Sequence, residues 1–186
     1  HISPSHHFPS GIITPIARRI EILKWALEED NRYIIEDEYD SEFRMSGKPI
    51  PSLQSIDLGN KVIYMNTFSK SLSSTIRIGY VVLPEALADK YNRELNFYAC
   101  TVSNFDQYTL YQFIEQGYLE KHINRMRNYY RVQRNEILNC IRHQKHYDKV
   151  KIKELLDIIV NPSSICYQKF TPRSFASMCY NTHGYD

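Results

Sequence analysis

Five kinds of side chain in this sequence are spaced so that they could do chemistry together. Lys70 sits in Thr67-Phe68-Ser69-Lys70-Ser71, inside a hydroxyl-rich stretch that runs on to Thr75. Glu36-Asp37-Glu38-Tyr39 closes a short apolar run, and Arg77 follows the lysine by seven residues. A lysine amine freed of its proton is a nucleophile toward a carbonyl carbon. A carboxylate favours the protonated form of a ring nitrogen beside it. A guanidinium offers a planar donor fork to a phosphate, and nearby hydroxyls add to it. A lysine, an acid, a tyrosine and an arginine set this way suit a ligand with an aldehyde, a ring nitrogen and a phosphate.

Elements must bring these residues to one place. Ile16, Ile20, Leu23, Ala26 and Leu27 recur at helical spacing after Pro15, which suits a first helical position. Tyr33-Ile34-Ile35 reads as a buried parallel strand ending in the acids, and Val62-Ile63-Tyr64-Met65 as the next strand. Residues 76–83 read as a third strand stopped by Pro84, which opens a helix. Helices are expected over 104–116 and 118–144, parted by Gly117, with Ile123, Met126, Tyr130, Ile137 and Ile141 as the apolar stripe of the second. The order indicates an α/β domain with a mostly parallel sheet. Ligands of open α/β sheets bind at the carboxyl ends of strands. The acids end the first strand, the lysine follows the second and Arg77 opens the third, so all are expected at one edge.

Composition narrows the choices. The 186 residues carry 42% hydrophobic and 24% charged side chains, close to globular averages. A net charge of +2 gives no whole-protein field for nucleic acid or an anionic membrane. No apolar run approaches the ~18 residues that span a bilayer. Cys100, Cys140, Cys166 and Cys179 form no CxxC pair and no metal spacing, so they read as reduced thiols in a cytoplasmic protein. His1, His6 and His7 lack a ligand-spaced partner and read as a solvated loop, so no metal site is expected. Arg125, Arg127, Arg131 and Arg134 read as a solvated helix face, His143 and His146 as caps at the end of that helix, and Tyr108, Tyr111, Phe113 and Tyr118 as core and interface aromatics.

Three segments carry a resemblance. They are Pro4-Ser5-His6-His7-Phe8-Pro9-Ser10-Gly11, the run from Ile34 to Arg44 that contains Glu36-Asp37-Glu38-Tyr39-Asp40, and Gly47-Lys48-Pro49-Ile50-Pro51-Ser52-Leu53-Gln54. With Ser69-Lys70 and Arg77 they resemble the aminotransferase-like domain (fold type I, class I/II) of MocR regulators. That subgroup of the GntR transcription factors fuses this domain to an N-terminal winged helix-turn-helix. The resemblance covers about residues 3–150. It implies a three-layer, aspartate aminotransferase-like α/β large domain, present in part, and the cofactor pyridoxal 5'-phosphate. It implies that Lys70 holds the cofactor as an internal aldimine, that Asp37 faces the ring nitrogen and that Tyr39 bonds the phenolic oxygen. Arg77, Thr67 and Ser69 would grip the phosphate. Ordinary members of the fold carry Asn-Pro-Thr-Gly where this chain has Phe8-Pro9-Ser10-Gly11. MocR domains share that departure, which favours a regulator.

The expected layout is a partial cofactor-binding large domain over 1–117, a helix leading into a truncated small domain over 118–154, and a tail over 155–186. Arg173 lies in that tail and takes no role. The chain opens at His1 without Met, and the resemblance places further parts of the cofactor cradle upstream and in the small domain. Weak or no cofactor binding is therefore expected of these residues alone. The resemblance also implies a homodimer, a small amino-compound effector or amino acid substrate, no membrane, and DNA contact only through the winged helix-turn-helix. A stand-alone class I/II aminotransferase fragment acting on an amino acid and a 2-oxo acid is the alternative, and a decayed gene product is a third reading.

Overall fold

The computed structural model describes residues 1–5, 7, 12–39, 41–43, 50–73 and 75–142. The expected tail over 155–186, with Cys166, Arg173 and Cys179, lies outside the described residues. So do His143, His146, His6, motif residues 8–11 and 44–49, and the side chains of Cys140 and Ile141.

Helix α1 (Ile16–Leu27) starts directly after Pro15, whose φ of −63° suits the turn into a helix although it stands one position before the first helical residue. Its buried residues are Arg19, Leu23 and Ala26, which share one helical face. The expected stripe is thus only half right. Leu23 and Ala26 are inside, but Ile16 and Ile20 are each 44% exposed and Leu27 55%. The face turns toward Arg19 because backbone carbonyls from three surrounding segments receive its guanidinium.

Strand β1 (Ile34–Glu38) alternates buried and half-buried residues. It pairs in parallel with β2 (Val62–Thr67), Ile34 opposite Val62 and Glu38 opposite Asn66. Strand β3 (Gly79–Val82) pairs antiparallel with β2, Thr67 opposite Gly79. The sheet of described residues is therefore mixed, in the order β1-β2-β3. β3 is shorter than the expected 76–83. Because it runs backward, the segment that opens it stands at the edge where β1 and β2 end.

Leu23, Ala26, Ile34, Leu53 and Val62 form the core, with Ile2, Ile22 and Ile56 packed against it. Helix α2 (Leu53–Ile56) is capped by Ser52, whose hydroxyl oxygen accepts from the Ser55 N–H. The Asp57 carboxylate then accepts the N–H groups of Gly59, Lys61 and Val62 at 2.9, 2.6 and 2.8 Å, which aligns the chain into β2. Lys61 Nζ donates to the carbonyls of Glu29 and Asp30, tying the start of β2 to the end of α1.

β2 continues into α3 (Phe68–Ser71), so Lys70 rides on a helical turn and not on a loop. After β3 come α4 (Glu85–Glu94), α5 (Asn104–Glu115) and α6 (Tyr118–Arg142). Gly117, at φ +71°, supplies the left-handed residue between the last two. α6 meets the body where Tyr130 packs edge-on to Phe43, 5.6 Å between centroids. Arg127 Nε donates to the Glu42 carbonyl at 2.5 Å. Arg134 is buried, so it leaves the solvated face expected for it. Tyr108, Tyr111 and Tyr118 are 64%, 53% and 49% exposed, which takes them out of the core. No described helix is long and apolar enough to cross a membrane.

Candidate functional site

The carboxyl end of β1 presents three acids in a row, and strand geometry sorts them. Alternate residues face opposite sides of a sheet. Glu36 and Glu38 point to the buried side, and Asp37 to the other. Glu36 accepts the Leu53 N–H at 2.7 Å and the Gln54 N–H at 2.9 Å, with the Arg19 guanidinium 3.8 Å away. Burial pushes its carboxyl above the ordinary range, opposed by those two N–H groups and by Arg19. Glu38 accepts from the Ser5 hydroxyl at 2.6 Å. Both acids are thus used up inside the fold.

Asp37 keeps a third of its side chain exposed, and its Oδ2 lies 3.2 Å from His1 Nε2. Its backbone is fixed from outside the sheet as well. Ile2 adds to the free edge of β1, its N–H donating to Ile35 and its carbonyl accepting from Asp37, both at 2.9 Å. A carboxylate one-third exposed, on a backbone bonded on both sides, can meet an outside group beside His1.

Tyr39 follows at once, and over its ring stands Lys70, with Nζ 3.8 Å from the centroid. The lysine is aimed by α3. Thr67 caps that turn, accepting from the Ser69 N–H, and donates to the Ile78 carbonyl at 3.2 Å. The Ser69 hydroxyl donates to the Ile76 carbonyl at 2.7 Å, and Phe68 N–H donates to Ile78 at 2.9 Å. These bonds lace α3 to the segment that carries Arg77. Arg77 is exposed and reaches Ser69 Oγ at 3.5 Å, the long limit of a hydrogen bond.

The expected residues fall into two groups along one sheet edge. Asp37, Tyr39 and Lys70 belong to the first, joined by adjacency in sequence and by the ring contact. Thr67, Ser69 and Arg77 belong to the second, joined by hydroxyl bonds, and α3 connects the two. Tyr39 lines a hollow of about 350 Å³ with His1, His7 and Thr14. Arg77 lines another of about 410 Å³, against Thr101, Ser103 and Phe113.

Sequence reasoning missed the supports beneath this edge. Asn66 Nδ2 donates to Glu42 at 3.1 Å and to the Tyr64 hydroxyl at 3.2 Å, while its Oδ1 accepts the Thr67 N–H at 2.6 Å. Burial raises the pKa of the Tyr64 hydroxyl and of Tyr80. Tyr80 packs on Phe68, 5.4 Å between rings, and so backs the turn that carries Lys70. Arg19 was missed too. It donates to Thr14, Pro51 and Pro4 carbonyls at 3.0, 2.9 and 3.1 Å, and is fully buried. A charged residue inside an apolar helical stripe was the one available signal.

The fold is that of the aspartate aminotransferase-like transferases, present in part. Kynurenine aminotransferase of Pyrococcus horikoshii, solved with PMP, KYN as substrates and KYA as products, superposes with a TM-score of 0.63 at 32% identity, over 75% of this chain and 34% of that one. The family model described as aminotransferase class I and II matches residues 3–152, and the chain belongs to that family. Among curated relatives, it is 49% identical over 144 residues to the uncharacterized HTH-type transcriptional regulator YdeL of Bacillus subtilis, covering 77% of this chain and 31% of YdeL. It is 37% identical over 143 residues to the probable rhizopine catabolism regulatory protein MocR of Rhizobium meliloti, covering 76% of this chain and 29% of that protein. The chain thus spans about a third of the length of the curated relatives it matches.

Proposed function

We propose that this chain is the cofactor-binding, aminotransferase-like part of a MocR/GntR-type transcriptional regulator, and that it binds pyridoxal 5'-phosphate through Lys70. The donor set fits that group. A half-exposed carboxylate, a tyrosine and an amine stand together at one edge, and two hydroxyls with a guanidinium stand beside them. The observation that carries the proposal is the approach of Lys70 to Tyr39, which puts the amine and the β1 carboxylate end in one place.

Each residue has a task the chain can perform. Asp37 holds a proton on the ring nitrogen, and its backbone bonds to Ile2 keep its direction fixed. Tyr39 donates its hydroxyl to the phenolic oxygen. Thr67, Ser69 and Arg77 take the phosphate, with Arg77 free to turn toward it because it is exposed. Lys70 attaches the group covalently. When bound, the cofactor supplies an electron-withdrawing ring to any amine joined to it. In a regulator, Lys70 would hold the cofactor, an effector amine would compete with the lysine amine for that attachment, and a winged helix-turn-helix would read the resulting shift between conformations on DNA. Higher identity to regulators than to the structurally similar enzyme favours this over a stand-alone aminotransferase. A cytoplasmic homodimer goes with the same proposal.

Titrating the intact parent protein with pyridoxal 5'-phosphate tests it, since these residues alone are expected to bind the cofactor weakly or not at all. A visible absorbance band that borohydride bleaches is expected, absent in Lys70→Ala. A band that survives in Lys70→Ala removes the assignment. Rapid conversion of an amino acid and a 2-oxo acid would instead favour the enzyme.

A further inference from the structure

Tyr39 offers the site its ring as well as its hydroxyl. The Lys70 ammonium lies 3.8 Å from the centre of that ring, well inside the ~6 Å over which an aromatic face attracts a cation. Both residues are half-buried, so solvent and salt screen the attraction less than at an open surface. Two independently fixed elements create the contact. Tyr39 comes directly off β1, whose backbone is held by Ile2 on one side and β2 on the other. Lys70 comes off α3, whose first turn is capped by Thr67. A ring face attracts an ammonium through its quadrupole and does nothing comparable for a neutral amine. Only the neutral amine has a lone pair to give to a carbonyl carbon.

We infer that Tyr39 is a positioning residue for Lys70: its ring holds the lysine as an ammonium before an aldehyde arrives, and the lysine must leave the ring and lose its proton to solvent before it reacts. Tyr39 then acts through two separable parts. Its ring face restrains the lysine, and its hydroxyl serves the ligand. Tyr39→Phe keeps the first and removes the second, whereas Tyr39→Leu removes both.

This inference shares residues with the proposed function but not the cofactor, so its test contains none. The 186-residue chain is reductively methylated with formaldehyde and cyanoborohydride, and the rate at each lysine is read by peptide mass spectrometry. Exposed Lys24 reports on the reagent. Lys61, only 9% exposed and bonded to two carbonyls, reports on the integrity of the sheet. Lys70 is expected to react more slowly than Lys24. Tyr39→Leu is expected to speed Lys70 by about two- to thirtyfold, the span of ring–cation attraction, and Tyr39→Phe to leave it within about twofold. An unchanged Lys70 rate in Tyr39→Leu overturns the inference, as does an equal acceleration in both variants.

If Tyr39→Leu unfolds, the Lys61 rate rises with it, and the wild-type chain decides the matter by NMR. Ring current is then expected to move the Lys70 ε-methylene protons upfield of those of Lys24. Coincidence of the two resonances overturns the inference. Failure here leaves cofactor binding at Lys70 untouched, and failure of the cofactor titration leaves this contact untouched.

Discussion

Asp37 and Arg77 stand at one edge of one sheet, yet the chain holds them in different ways. Beneath Asp37, neighbouring Glu36 accepts two backbone N–H groups, and Arg19 donates hydrogen bonds to the carbonyls of Pro4, Thr14 and Pro51. Apart from Thr14, those partners lie 15 or more residues away in sequence, and both charged groups are fully buried. Around Arg77 the bonds are local. Thr67 and Ser69 reach only to Ile76 and Ile78, and all four residues of β3 are exposed. In its proposed role Asp37 would keep a proton on a ring nitrogen and would need a fixed direction, which long-range buried bonds beneath it can supply. In its proposed role Arg77 would reach a phosphate through a long, exposed side chain, for which a locally tied turn would be enough.

The comparison can be broken by substitution, most severely at Arg19. Arg19→Met leaves Glu36 buried without its counter-charge and three carbonyls without a donor. Losing one partner of a buried pair costs about 3–5 kcal/mol, so urea unfolding followed by circular dichroism should show a loss of that order. A loss no larger than that of a surface substitution would mean that Arg19 does not hold this region. Leu53→Ala comes next. Leu53 is fully buried in the core and its N–H is one of the two bonded to Glu36; emptying such a site costs about 2–5 kcal/mol.

Glu36→Gln sharpens the comparison through pH. The folded chain raises the Glu36 carboxyl above its ordinary 4.5, so it holds that proton more tightly than the unfolded chain does. The resulting stability is fully present below 4.5 and is lost as pH rises through the folded value. Urea midpoints measured across this range should fall with rising pH in the wild type and fall less in Glu36→Gln. Parallel curves would assign the slope to other groups. The smallest effect is expected at Arg77. Arg77→Ala should leave the urea midpoint where it is and weaken only the binding of the phosphorylated cofactor. A shift like that of Arg19→Met would erase the distinction between the two regions.

How much of this was legible in the sequence follows the same division. Local patterns gave α1, the two parallel strands and the helices after β3 nearly to their ends, because periodicity and Pro or Gly punctuation are local signals. The clustering of Asp37, Tyr39, Lys70 and Arg77 at one edge was legible from their places at strand ends. The direction of β3 was not, since strand order and pairing depend on distant residues. Arg19 looked like its neighbour Arg18, yet one is buried and the other exposed. Its three carbonyl partners carry no signature in residue type. Glu36 likewise looked like Asp37, and only the alternation of faces separates the internal acid from the available one.

The most direct measurement is to treat the intact parent protein with pyridoxal 5'-phosphate, reduce with borohydride, and map the phosphopyridoxyl group by peptide mass spectrometry. The expected result is a label concentrated on Lys70, lost in Lys70→Ala without moving to Lys61 or Lys24, and reduced in Asp37→Ala. A label spread over exposed lysines with Lys70 no more modified than Lys24 would contradict the site.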